Sequence, residues 1–144
     1  MESFESDDGH VIVRLDRGDM ALESIERACD EHAIDTGAVV TGIGTFSSLN
    51  VHYVDRTDLP DEQADRNVEL RLTGAWEVTD ISGVIANGEP HLHVTAFDGD
   101  RTVGGHLEPG CEVNVLGEVA IREISGLSLE RRPGERNVSQ LARR

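Results

Sequence analysis

The sequence predicts a single α+β domain, a mainly antiparallel β-sheet with one main α-helix, and three observations carry that reading. Most of the 144 residues fall into runs that alternate polar and apolar side chains, the period-two signature of strands with one covered face. Only one segment, around Leu22 to Cys29, repeats its apolar positions at the 3.6-residue spacing of a helix. The length suits one domain spanning residues 1–144, and a hydrophobic fraction of 38% supplies a modest core.

Residues 1–9 are polar and acidic, and His10 to Leu15 alternates as the first strand. Asp16-Arg17-Gly18 turns it, and Asp19 is placed to cap the helix. That helix carries Leu22, Ile25, Ala28 and Cys29 on one face and Glu23, Glu26, Arg27 and Asp30 on the other, to about His32. His32 suits the negative end of the helix dipole and is not assigned as a ligand. Ala38 to Phe46 reads as a buried strand running into a glycine loop, with Leu49 to Val54 returning. Gly42 and Gly44 lack the third glycine of a dinucleotide fingerprint, so no phosphate site is assigned there. His52 reads as a half-exposed strand residue in preference to a further ligand. Asp55 to Asn67, with Pro60 and five acidic residues, reads as an exposed loop. Val68 to Leu72 and Trp76 to Ala86 resume strand patterning, joined at Thr73-Gly74, and the second of them carries Glu77 and Asp80.

The chemistry concentrates between His91 and Leu107. His91, His93 and Thr95 alternate with Leu92, Val94 and Ala96, and Asp98-Gly99-Asp100-Arg101 supplies a turn. A two-residue loop with Gly99 first suits a type II′ hairpin. Its register sets His93 opposite His106, Ala96 opposite Val103 and Leu92 opposite Leu107, with Gly104-Gly105 marking a bulge or a close backbone approach. The three histidines then share one face. The bland reading of His-x-His is a solvated edge strand. The third histidine in register favours one divalent ion, zinc above all, bound by His91, His93 and His106. A nearby carboxylate such as Glu77 would be a fourth ligand or a general base.

After Pro109-Gly110, Cys111 to Ile124 reads as a long strand with Val113, Val115, Val119 and Ile121 on one face and a bend at Gly117. From Glu130 the chain is Arg-rich and reads as a mobile tail. All thirteen basic residues are arginine, against 28 acidic ones, for a formal net charge of −15. Acidity without lysine in a well-patterned sequence points to a salt-rich cytoplasm, where charges are screened over short distances. Two cysteines, Cys29 and Cys111, read as buried thiols. No stretch approaches the roughly 20 apolar residues of a membrane span, so a soluble cytoplasmic protein without a membrane partner is expected.

The helix, Thr41-Gly-Ile-Gly-Thr-Phe-Ser-Ser-Leu49, Trp76-Glu-Val-Thr-Asp-Ile-Ser-Gly83, His91-Leu-His93 and Gly104-Gly-His-Leu107, in that order, resemble the plant and prokaryote conserved (PPC) domain over about residues 11–129. The resemblance implies a compact α+β fold, a homotrimer, a metal at His91, His93 and His106, and a site glutamate at Glu77. It also implies an association with DNA, but the family's AT-hook order Arg-Gly-Arg-Pro is absent; Arg131-Arg-Pro-Gly134 runs differently. At −15 the folded body repels a duplex, so any DNA binding is expected to be weak and to fall to the tail from Arg131 to Arg144. Two functions compete: a metal-binding trimeric binding or regulatory module, and a zinc-dependent enzyme acting on a small molecule. A metal at the base of a concave pocket favours the enzyme, and a closed or flat site favours the module.

Overall fold

A computed structural model describes residues 1–58, 60–62 and 65–144. Among them the elements run β1 (Glu2–Glu5), β2 (His10–Asp16), α1 (Ala21–Glu31), β3 (Thr36–Val54), β4 (Asn67–Ala86), β5 (Glu89–Phe97), β6 (Thr102–Leu107), β7 (Val113–Glu123), β8 (Leu129–Pro133), a 3₁₀ turn (Glu135–Asn137) and β9 (Ser139–Arg143). The main sheet has the order β1-β2-β7-β3-β4-β5-β6, every pairing within it is antiparallel, and β6 also pairs with β3. The α+β expectation holds. The extra pairing closes β3, β4, β5 and β6 into a ring, while β1, β2 and β7 extend the sheet from the first half of β3.

Helix α1 lays Ala21, Leu22, Ile25, Ala28 and Cys29 against the core, and Cys111 is buried with them. Its expected cap is different. Met20 is the N-cap residue and no side chain caps it, because Asp19 accepts a hydrogen bond from its neighbour's backbone, Asp16 N, and pairs with the terminal amine of Met1 at 2.7 Å. That amine belongs to an element the sequence does not announce, the polar strand β1 on the sheet edge. His32 serves the same strand, with Nε2 at 2.8 Å from Ser3 Oγ and Nδ1 at 3.3 Å from Glu5.

Three further expectations are corrected. The glycine loop at 42–44 and the joint at Thr73-Gly74 do not interrupt the strands: β3 and β4 are continuous over 19 and 20 residues. Gly42 and Gly44 are instead close approaches, since a β-carbon at Gly42 would lie 2.8 Å from Ile81 Cβ and one at Gly44 2.5 Å from the Leu116 carbonyl. The apolar face read from Val113 to Ile121 is broken at Val115, which is 68% exposed while Val113, Val119 and Ile121 are buried. Gly44 pairs with Gly117 and Phe46 with Val113, so two steps on β3 face four on β7 and the surplus swings Val115 outward. The Arg-rich tail is not mobile chain but the β8–β9 hairpin, fixed to the body by Arg144 to Asp35 at 2.9 Å and by Arg66, which donates to the Arg136 and Asn137 carbonyls. The loop between β3 and β4 exposes Asp55 to Asp58 as expected but buries Arg66, while Leu59, Gln63 and Ala64 lie outside the described residues.

The hairpin of β5 and β6 keeps the expected register, His93 opposite His106 and Ala96 opposite Val103, with no shift at Gly104-Gly105. Gly99 has φ of +99°, as a primed turn needs, and the turn is held by Asp98 N donating to the Arg101 carbonyl and Arg101 N donating to the Asp98 carboxylate. Leu107 leaves this ladder and pairs with Val51 of β3, not with Leu92. Gly105 permits the crossing, since a β-carbon there would meet the His52 carbonyl at 2.5 Å. Replacing Gly105 with Ala should therefore force β6 off β3 at a cost of about 1–3 kcal/mol, read as a lower denaturation midpoint. Gly99→Ala meets no atom within 4 Å, so it should leave the β3–β6 pairing intact and cost only the backbone strain of a side chain at φ of +99°.

Candidate metal centre

Buried Leu92, Val94 and Ala96 fix the facing of β5, so His91 and His93 point to the opposite side with Thr95. His106 is carried beside them on β6, and the β3–β6 pairing brings a fourth imidazole, His52, opposite His106. The rings of His52 and His106 stack at 4.5 Å, His91 meets His106 edge-on at 4.6 Å, and His93 lies 5.7 Å from both His91 and His106. The structure thus brings together all three histidines expected from sequence and adds His52 and Glu108. Glu108 Oε1 is 2.5 Å from His52 Nδ1 and 3.3 Å from His106 Nδ1.

His106 Nδ1 is shielded from solvent and, despite its distance to Glu108, makes no hydrogen bond. A buried ring nitrogen left without a partner is costly in a finished fold and suits a position meant for a Lewis acid. The donor atoms of His52, His106 and Glu108 all lie within 4.8 Å of one another, a spacing that one ion can span. Nitrogen and carboxylate donors of this kind fit zinc and its divalent neighbours.

Glu77 is not brought to this cluster. It pairs with Thr45 and Phe97, toward the turn end of β5, and lines a separate shallow depression with Ile43 and Leu116. Asp80 accepts a hydrogen bond from the Ser82 hydroxyl. His52 carried no sequence signal, because its partner lies 54 residues on in a pairing that no local period encodes. Glu108 had one: it follows His106 at the i+2 spacing that keeps side chains on one face of an extended chain.

The four imidazoles line a cleft of about 550 Å³ together with Tyr53, Pro90, Arg131 and Val138. Burial, the nearby charge of Arg131 and the other imidazoles push the His91 pKa down to about 4 from its ordinary 6.5. Burial and His52 also lower that of His106, opposed by Glu108. A depressed histidine is neutral in the fold at a pH where the unfolded chain already takes up a proton. Its linked stability is therefore full above about pH 6.5 and falls progressively toward pH 4. In metal-free protein, His91→Asn should lose less stability than the parent across that window, and parallel acid-unfolding curves would contradict it.

The model for the Plants and Prokaryotes Conserved (PCC) domain family matches residues 2–125. In structure, the chain is similar to a metal-containing protein of Archaeoglobus fulgidus at 27% identity and a TM-score of 0.75, covering 95% of both chains. It is similar to a PPC protein of Pyrococcus horikoshii at 24% identity and a TM-score of 0.75, covering 96% of this chain and 91% of that one. A Bacteroides thetaiotaomicron protein with a provisional DNA-binding description superposes with a TM-score of 0.83 at 18% identity, over 98% and 96% of the two chains. Among curated relatives, the bifunctional protein GlmU of Synechococcus sp. (strain JA-2-3B'a(2-13)) is 27% identical over 122 residues, 84% of this chain but 18% of that protein. With the family model covering most of its length and the same fold in these neighbours, the chain belongs to the Plants and Prokaryotes Conserved domain family.

Proposed function

We propose that the chain is a homotrimeric, metal-binding PPC module of regulatory or binding role, holding one divalent ion, zinc by donor chemistry, in its histidine cleft. The observation that carries this is the shielded, unpartnered Nδ1 of His106 at the centre of a four-imidazole, one-carboxylate cluster. Five donors exceed what a four-coordinate zinc needs. Two ligand sets therefore compete, His91-His93-His106 and His52-His106-Glu108, with His106 common to both. Atom separations favour the second. His106→Ala should abolish stoichiometric metal measured by elemental analysis, and His32→Ala should retain it. Retention in His93→Ala with loss in His52→Ala selects the second set, and the converse selects the first.

An apolar surface supports self-association. Ile43, Val115 and Leu116 are 49%, 68% and 39% exposed beside one another on β3 and β7, an unusual outlay of large apolar side chains for a chain of net charge −15. Like charges on assembling copies repel less when screened, which fits the halophilic reading of the lysine-free composition. Sedimentation should find trimers in molar salt that dissociate in dilute buffer, and Val115→Asp should be monomeric in both. A wild-type monomer throughout would sink the assembly.

The cleft favours one second reading, a zinc-dependent enzyme acting on a small molecule, because the histidines line a concavity instead of a flat surface. Glu77 stands apart from it and Glu108 is engaged by His52, so neither of these carboxylates is free to act there as a general base. DNA association rests on the descriptions of relatives. The tail arginines that would carry it are partly engaged, Arg132 by Glu130 and Arg144 by Asp35, which favours weak, salt-sensitive binding.

A further inference from the structure

Arg131 stands apart from the arginines around it. Arg132 is held by Glu130, Arg144 by Asp35 and Asn87, and Arg136 donates to the Asp58 carbonyl. Arg66, 5% exposed, directs its guanidinium to the carbonyls of Pro60, Arg136 and Asn137. Arg131 Nε, by contrast, is sealed from solvent and has no hydrogen-bond partner. Among the described residues, no carboxylate forms an ion pair with this guanidinium. Glu89 also lines the cleft but is exposed and makes none with it.

A sealed guanidinium donor without an acceptor is a standing cost to the fold. The cost is not a by-product of composition, because the chain as a whole carries −15 and had many carboxylates with which to neutralise one arginine. The volume of the cleft, about 550 Å³, lies in the range of about 300–1,000 Å³ usual for small-molecule sites. Its lining is mixed: Arg131 and imidazoles together with Tyr53, Val54 and Val138.

We infer that the cleft binds a small organic oxoanion, its carboxylate or phosphate head on Arg131 beside His91 and its apolar body against Tyr53 and Val138. A guanidinium fork matches either head group. The inference goes beyond the metal reading and uses no metal, since Arg131 belongs to neither ligand set. A nucleic-acid phosphate fits less well, because the guanidinium lines a concave cleft in a chain of net charge −15 that repels a duplex backbone.

The test is calorimetric titration of the full chain with benzoate, with inorganic phosphate and with a short DNA duplex, in wild type, Arg131→Gln and, as control, Arg143→Gln. At least one of the small anions should bind wild type and the Arg143 variant alike and weaken at least tenfold in Arg131→Gln. Tighter benzoate assigns a carboxylate head with an apolar body, and tighter phosphate assigns a phosphate head. Thermal unfolding separates binding from a structural role: without anion, Arg131→Gln should melt no lower than wild type, and the anion should raise the midpoint of wild type and of Arg143→Gln but not of Arg131→Gln. Equal anion binding in Arg131→Gln, no binding of either anion to wild type, a midpoint several degrees lower in the variant, or Arg131-dependent binding of the duplex only would each overturn the inference. Metal content measured on the same samples keeps the two readings apart. Metal-free protein that binds benzoate through Arg131 would remove the metal reading and leave this one.

Discussion

The approach of β6 to β3 is the constraint on which the rest of the structure depends. β6 is six residues long, and it pairs with β5 from Thr102 to His106 and with β3 at His106 and Leu107, so its backbone reaches a second strand within the span of one hairpin arm. Gly105 makes this possible by presenting only hydrogen where a β-carbon would enter the His52 carbonyl. The closure has a packing consequence and a chemical one. Leu107 is driven into the core beside Val51, both essentially inaccessible to solvent, and His106 is set against His52. Core formation and assembly of the histidine cluster are therefore one event, and a change that opens the ring removes both.

Long strands that serve two neighbours need irregularities. β3 pairs with β7 along its first half and with β6 along its last residues, and the sheet must bend between them. Bulges supply the bend. The two between β3 and β7 each leave an apolar residue stranded on the outside: Val40, where β3 gains a residue over β7, and Val115, where β7 gains two over β3. Curvature in this domain thus comes with an apolar exterior. In a chain of net charge −15, any self-association through that exterior, as proposed above, would be opposed by charge, and the balance between them would follow ionic strength.

Where local periodicity dictated the outcome, the sequence was readable. Leu92, Val94 and Ala96 turn inward because they alternate, α1 buries its apolar stripe, and the hairpin register follows from a turn whose first central residue is Gly99. Three histidines of the cluster were legible for the same reason. What escaped was non-local or polar. His52 reaches the cluster through a pairing across more than fifty residues. The edge strand β1 is polar, so no apolar face marks it. The tail read as loose because Pro133, Gly134 and many arginines signal a break; the structure uses that break as the tip of a hairpin, with the acids Asp35 and Glu130 holding its arginines. Val115 was misplaced since strict alternation assumes a ladder without bulges.

The two ends of the cluster differ in charge, and this bears on where an ion would sit. Arg131 lies on the His91 side, where its positive field and burial together hold that imidazole neutral down to about pH 4. Neutral imidazole is the form that ligates, so the protonation state favours coordination there, yet the same guanidinium repels a dication. Glu108 lies on the opposite side, within 3.3 Å of His106 and closer still to His52. Its carboxylate attracts a cation and offers an oxygen ligand. His106 is shared by both sides and leaves one shielded nitrogen unpartnered. Charge and geometry therefore act in the same direction: a dication is drawn toward Glu108, and the Arg131 side of the cleft is left for negative charge.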